Sequence, residues 1–283
     1  MSDSKNLKVI ALDFDGVVGD SVYECYVQSI KGFKDLGGKI NDSKAVEEAF
    51  RKARPFVKIA EDYLVVLRLI ESNPNIDFDE ISQADFDTAK GKYKGEFPKF
   101  KERFMFYRKE MQSKSENDWF KLQKDFPNVV QNVNKLIDKG YKVVIATTKD
   151  KPSIVKLLKQ YGCNIKEEDI VHKEIFDDKA KQIKFISLKY DVPVRKITFV
   201  DDMVEQVKIV KTTGAKTAMA DWGYSTKAQR KEAEDLGIPL VEKENLYKKI
   251  VRVSGGPWER RFLWCLIIVL IILGLNAIGV INI

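Results

Sequence analysis

From about residue 120 to 250 the chain alternates short apolar runs with amphipathic stretches, and few folds satisfy that rhythm. The runs YKVVIAT (141–147), ITFVD (197–201), KTAMA (216–220) and IPLV (238–241) have strand length, and LKVIALD (7–13) shares their character. Stretches 129–139, 153–161, 179–190, 203–213 and 226–236 carry apolar residues at helical spacing. A strand that is apolar on both faces must be covered on both. The alternation therefore predicts βαβ units, an α/β fold whose doubly wound parallel sheet carries helices on either side. Gly140, Gly162, Gly214 and Gly237 fall where those helices should stop.

Between the first run and the second the rhythm breaks, and residues 22–122 read as an inserted helical domain. Phe97, Phe100, Phe104, Tyr107 and Met111 step by three and four, the apolar stripe of one long helix. Lys99, Lys101, Arg103, Arg108 and Lys109 interleave with them. An aromatic core face with a solvated opposite side accounts for that pattern, so nucleic acid is not an expected partner. The net charge of +7 comes from lysines spread along the chain and admits smaller anionic partners, phosphorylated metabolites among them.

An open parallel sheet binds ligands outside the carboxyl ends of its strands. Asp13 and Asp15, Thr147 and Thr148, and Asp201 and Asp202 end apolar runs there and should converge. Four acids at one rim would repel one another without a counter-charge. A hard divalent cation removes that objection, since Mg²⁺ prefers oxygen ligands and is held by a few carboxylates plus substrate phosphate.

These residues carry a resemblance. DFDGVVGDS (13–21) resembles the first motif of the haloacid dehalogenase superfamily, and IATTK (145–149) is similar to its second, a Thr or Ser ending a hydrophobic strand. Lys179 in FDDKAKQI (176–183) suits the third, and FVDD (199–202) the fourth. The motifs stand in family order, cover about residues 7 to 250, and place the insert where one subgroup carries its cap domain. Haloacid dehalogenases proper lack an acid two residues after the nucleophile, whereas Asp15 is present here. Phosphonatases need a Schiff-base lysine from the cap, and the many cap lysines leave that subgroup open.

The resemblance implies a phosphatase of small phosphomonoesters, with a phosphomutase of the same fold and a non-catalytic binding module as alternatives. It implies Asp13 as the nucleophile that forms an aspartyl-phosphate, and Asp15 as the acid and then base. Thr147 would bond a phosphoryl oxygen, Thr148 would lie beside it at the substrate, and Gly16 would bring backbone N–H groups to the phosphoryl group. Lys179 would neutralise charge; Lys181 competes for that role, but the family's usual spacing before the fourth motif favours Lys179. Asp13, Asp15 through its carbonyl, Asp202 and Asp201 would hold Mg²⁺. Asp20 is either a motif acid or the cap of the first insert helix. In RPFVK (54–58), Arg54 offers a fork for a second anionic group, or is an exposed arginine with no such role.

Cys25, Cys163 and Cys265 lie far apart without a CxxC pair, so neither a disulfide framework nor a zinc site is expected, which fits a reducing compartment. His172, the single histidine, is expected at a strand end with a structural role. MSDSKN (1–6) has no apolar core, so no secretory signal is expected.

Residues 262–283 carry no charge, and at about 1.5 Å per residue a helix of that length spans a bilayer core of about 30 Å. Residues 251–261, with SGGP (254–257), read as the linker to this transmembrane anchor, leaving 1–21 and 123–250 for the catalytic core. Lys248, Lys249, Arg252, Arg260 and Arg261 precede the anchor and no basic residue follows, which keeps the catalytic part on the cytoplasmic side. The competing reading is a C-terminal helix buried in a core or dimer interface of a soluble cytoplasmic protein.

Overall fold

The computed structural model describes residues 7–255. The chain opens on β1 (Val9–Leu12), makes the two-residue strand β2 (Gly19–Asp20), and enters the insert. There follow α1 (Val22–Asp35), α2 (Lys44–Ala53), α3 (Asp62–Ser72), α4 (Gln83–Tyr93), α5 (Phe97–Lys114) and α6 (Glu116–Lys121). The chain returns through β3 (Lys124–Asp125) and α7 (Val129–Asp138) to β4 (Lys142–Ala146), α8 (Lys151–Gln160) and β5 (Ile170–Val171). It continues with α9 (Lys179–Lys189), β6 (Ile197–Asp201), α10 (Val204–Lys211), β7 (Lys216–Ala220), α11 (Lys227–Asp235), β8 (Leu240–Val241) and α12 (Leu246–Val253).

Six strands form one parallel sheet in the order β5-β4-β1-β6-β7-β8. β1 sits at its centre, with Val9 opposite Lys142 on one side and Ile197 on the other. Its alternate residues feed two separate cores. Ile10 and Leu12 pack with Val143, Ile145 and the apolar faces of α7, α8 and α12. Val9 and Ala11 pack with Val144, Ala146, Phe199 and the faces of α9, α10 and α11. A run with no polar alternate residue is thus buried on both faces, which is why it reads as continuous rather than alternating. The glycines expected at helix ends all adopt positive φ, from 66° at Gly237 to 85° at Gly214.

The insert has its own core, in which Phe50, Phe56, Tyr63, Leu64, Phe100 and Phe104 are buried together. On α5 the stripe divides the helix: Phe100 and Phe104 face inward, while Lys101 pairs with Glu61 and Arg103 with Asp35. The two crossings between insert and sheet domain are tied to each other, since β2 and β3 pair antiparallel with Gly19 opposite Asp125. His172 directly follows β5, and its Nδ1 meets Glu174 Oε2.

The C-terminal end differs in one respect from the sequence reading. α12 runs through Val253, three residues into the stretch expected to be linker, because Leu246 and Ile250, four apart, bury against the sheet domain. Among the described residues no helix is long and apolar enough to cross a membrane. The stretch 262–283, on which the expectation of an anchor rests, lies outside the described residues.

Candidate active site

β1 ends at Leu12, and the next amide still joins β6: Asp13 N donates to Val200 O at 2.9 Å. The chain then folds back at once, with Gly16 N donating to Gly19 O, and Val18 N and Gly19 N to Phe14 O. Gly16 takes φ +87, where side chains are strained, and a Cβ there would lie 2.1 Å from Asp202 Oδ2. From the opposite side a Cβ on Gly223 would fall 2.3 Å from Asp202 Cβ. Asp202 is therefore clasped between two bare stretches of backbone, and Tyr224 N donates to its Oδ2 at 2.5 Å. The N–H of Gly16 itself is used within the turn, and its missing side chain leaves room for Asp202.

Asp13, Asp201 and Asp202 present oxygens within 4.8 Å of one another. Lys179, the first residue of α9, is buried and serves them: Nζ donates to Asp13 Oδ1 and Ala146 O, both at 2.6 Å, and lies 3.4 Å from Asp201 Oδ2. Burial opposes the charge on Lys179, but Asp13 and Asp201 outweigh it and raise its pKa. Lys181 is exposed and gives only its backbone N–H, to Asp178. Burial and then the charge of Asp13 push Asp201 up to about 6. Burial and the charge of Asp201 hold Asp202 well above the usual carboxylate range. Lys179 pairs with two of the three acids, Asp13 and Asp201. Asp201 Oδ2, buried, accepts no hydrogen bond.

Asp15 lives under the opposite regime. Lys149 Nζ lies 3.1 Å and 3.5 Å from its two carboxylate oxygens. Burial would raise the Asp15 pKa, yet Lys149, the Ser21 hydroxyl, Arg108 and Arg54 together lower it. Thr147 is buried beside them, and its Oγ1 accepts from Lys149 N at 3.2 Å, while Thr148 is exposed. Motif reading gave Lys149 no role. Its only signal is a cation two residues past a strand-ending threonine; the next residue, Asp150, caps α8 by accepting from Ser153 N.

The insert closes over this rim. Glu24 is fully buried and takes two bonds from Arg108, Nε to Oε1 at 2.9 Å and Nη2 to Oε2 at 2.8 Å. Arg54 is not the exposed arginine of the alternative reading. It is partly buried, its guanidinium stands 4.6 Å from the centre of the Tyr224 ring, and Nη1 donates to Val57 O at 2.9 Å. Tyr224, from the loop after β7, is the sheet domain's residue inside the insert's core. Its hydroxyl donates to Asp20 Oδ1 at 2.9 Å and accepts from Ser21 N at 3.0 Å. Asp20 also accepts from Val22 N at the start of α1 and pairs with Arg51, so it acts as a helix cap and a tie across the crossing.

Two carboxylates two residues apart thus each meet a lysine of their own, Asp13, beside Asp201 and Asp202, on Lys179 and Asp15 on Lys149.

The comparisons with known proteins bear on the family and the fold. A sequence model of the haloacid dehalogenase-like hydrolase family matches residues 7–214. No curated protein matches the chain significantly. Among solved structures, a predicted phosphoglycolate phosphatase from Haemophilus somnus aligns with a TM-score of 0.61 at 14% identity, over 86% of this chain and 98% of that one. A predicted phosphatase from Clostridium acetobutylicum aligns at 0.57 and 14% identity, over 87% of this chain and 100% of the other. A provisionally assigned β-phosphoglucomutase from Thermotoga maritima aligns at 0.55 and 15% identity, over 87% and 100%. Such identities speak to the fold alone. The family match spans most of the sequence and takes in all the acids of the rim, and the chain belongs to the haloacid dehalogenase-like hydrolase family.

Proposed function

We propose that the protein is a Mg²⁺-dependent phosphatase that hydrolyses a small phosphomonoester through an aspartyl-phosphate on Asp13. The observation that carries this reading is the placing of the pair at the rim, each acid on its own buried lysine, Asp13 on Lys179 at 2.6 Å and Asp15 on Lys149 at 3.1 Å. Asp13 attacks phosphorus and the ester P–O bond breaks, while Asp15 gives a proton to the departing alkoxide. A water then attacks the same phosphorus, Asp15 takes its proton, and the bond to Asp13 breaks to release phosphate. Lys179 and Thr147 hold phosphoryl oxygens during both transfers.

The donor set fits a hard divalent cation. It is all oxygen, it is crowded enough to raise two of its acids, and it includes a buried carboxylate oxygen with no hydrogen bond. Asp13, Asp201, Asp202 and the Asp15 carbonyl would hold Mg²⁺, which supplies positive charge against the phosphoryl oxygens.

Release of inorganic phosphate from a panel of phosphorylated metabolites tests the reading. Turnover that needs Mg²⁺ and stops in chelator is expected; release unaffected by chelator, or none from any member, overturns it. Phosphoryl transfer within one sugar is the alternative, favoured by the likeness to the Thermotoga protein, and dependence on a bisphosphate primer would mark it. A binding module without activity is disfavoured because every motif acid is retained.

The stretch 262–283 supports a second part of the proposal, a membrane anchor with the catalytic domain on the cytoplasmic side. The full chain should then resist carbonate extraction from membranes, and full-length protein that is monodisperse without detergent would refute this.

A further inference from the structure

The sheet is polarised along its strands. A lysine stands at or just before the first position of four adjacent ones: Lys142 on β4, Lys8 on β1, Lys196 on β6 and Lys216 on β7. At the carboxyl ends of β1, β6, β7 and β8 stand Asp13, Asp201, Asp221 and Glu242 instead. The strands are parallel, with Lys142 opposite Val9 and Lys216 opposite Thr198, so the four lysines line one end of the sheet. A lysine that ends a helix is explained by the helix dipole, but strands have almost none, and these lysines begin strands. Lys142 is matched by Asp169 at 3.0 Å. Arg195, Lys216 and Arg252 pair with no carboxylate among the described residues. Arg252 belongs to this end because α12 finishes here: Lys8 Nζ donates to Gly255 O just past the helix. The chain thus leaves the described residues at the basic end, opposite the catalytic rim. Six residues, 256–261, separate Gly255 from the uncharged stretch 262–283, and fully extended they reach no more than about 20 Å.

We infer that this amino end of the sheet is a docking surface for a bilayer with anionic headgroups, and that docking turns the catalytic rim and the insert away from the lipid. This rests on the reading of 262–283 as a membrane anchor. A tether so short keeps the basic end near the bilayer wherever the anchor enters it, and Arg260 and Arg261 add two charges within the tether itself. Long basic side chains carry their heads out to the headgroup layer, and each one near an anionic surface favours contact by about fivefold. The acids that the same surface would repel stand at the far ends of the strands. An uncharged bilayer offers no such hold, so lipid charge decides whether the domain lies on the membrane or swings on its tether.

The test reconstitutes the full chain into vesicles of phosphatidylcholine, alone or with about 30% phosphatidylserine, and reads lysine acetylation by a membrane-impermeant reagent in mass spectra. Lys139, exposed just before β4, and Lys216 report on the basic end; Lys92 and Lys94, exposed in the insert, report on the far end. On the anionic vesicles Lys139 and Lys216 should lose reactivity by about threefold or more, and should regain it at about 0.5 M salt, where charges are screened within a few ångströms. Lys92 and Lys94 should react alike on both. The double variant Arg195→Gln, Arg252→Gln should weaken the protection by about fivefold per charge removed. Equal reactivity of Lys216 on the two kinds of vesicle, or protection of Lys92 and Lys94 in its place, overturns the inference. If the full chain does not insert, the anchor reading fails, and sedimentation of the same chain with the same vesicles still decides the surface. Salt-sensitive binding to the anionic vesicles alone would then uphold it. Binding to neither, or to RNA but not to vesicles, would overturn it.

Discussion

The molecule buries carboxylates in two places, and it treats them differently. In the heart of the insert one acid, Glu24, meets one base, Arg108, through two bonds, and the account closes within the protein. At the rim Lys179 pairs with Asp13 and Asp201 while Asp202 crowds beside them, and the crowding shows as raised acids. A matched buried pair belongs to the fold, because losing either member strands the other. An unmatched cluster is a strain that a ligand relieves. Removing an acid should therefore have opposite consequences in the two regions.

The largest effect is expected at Asp13. Asp13→Asn should cut phosphate release to below about a hundredth of the parent rate, while the melting temperature stays level or rises. A variant that loses stability as it loses activity would erase the contrast. In the insert the sign reverses. Glu24→Gln leaves the Arg108 guanidinium without its carboxylate and should lower unfolding stability by about 3 kcal/mol or more. A loss under about 1 kcal/mol in denaturant titration would mean the pair is no more structural than the rim.

Acidity sharpens the comparison further. In protein freed of divalent cations, burial and Asp13 hold the Asp201 proton up to about 6, against 3.8 ordinarily. The native state therefore keeps that proton over a range where the unfolded chain has lost it. The resulting stabilisation is fully present below about pH 4 and is lost as pH rises through about 6, up to about 3 kcal/mol in all. A divalent cation takes the proton's place above that range. Added Mg²⁺ should raise the melting temperature more at about pH 8 than at about pH 5, and equal increments would argue against crowding as the cause. The smallest effect belongs to neither region. Lys156 and Glu116 pair at 2.9 Å on the surface, and Lys156→Ala should move stability by no more than about 0.5 kcal/mol.

Much of the sheet domain was legible in the sequence because its signals are local. A run of apolar residues, a glycine just past a helix, and an acid at a strand's carboxyl end each announce themselves within a few positions. The same locality marks Asp13, Thr147, Asp201 and Asp202 at the ends of apolar runs, whereas Lys179 is named only through the resemblance to the family's third motif. The residues that escaped notice act at a distance. Glu24 and Arg108 lie 84 positions apart and look like two ordinary charges on two helices until α1 and α5 pack. Tyr224 follows β7 in a loop with no periodicity, and nothing near it betrays that its ring enters another core. Lys149 reads as one more lysine in a lysine-rich chain, and β2 and β3 are too short to carry a pattern. Gly223 shows the limit most plainly, since its meaning is the absence of an atom beside a residue 21 positions earlier.

That absence has a consequence for how a cation is received. An exposed aspartate samples several rotamers, and a ligand that fixes one of them forfeits about 0.5–1.5 kcal/mol of side-chain freedom. Asp202 has nothing to forfeit. With Gly16 on one flank, Gly223 on the other and the Tyr224 amide at its oxygen, its carboxylate is already immobile before anything binds. The entropy of ordering that ligand was spent once, when the chain folded, and is not charged again at each encounter. Affinity at this rim is thereby decoupled from side-chain motion and left to electrostatics.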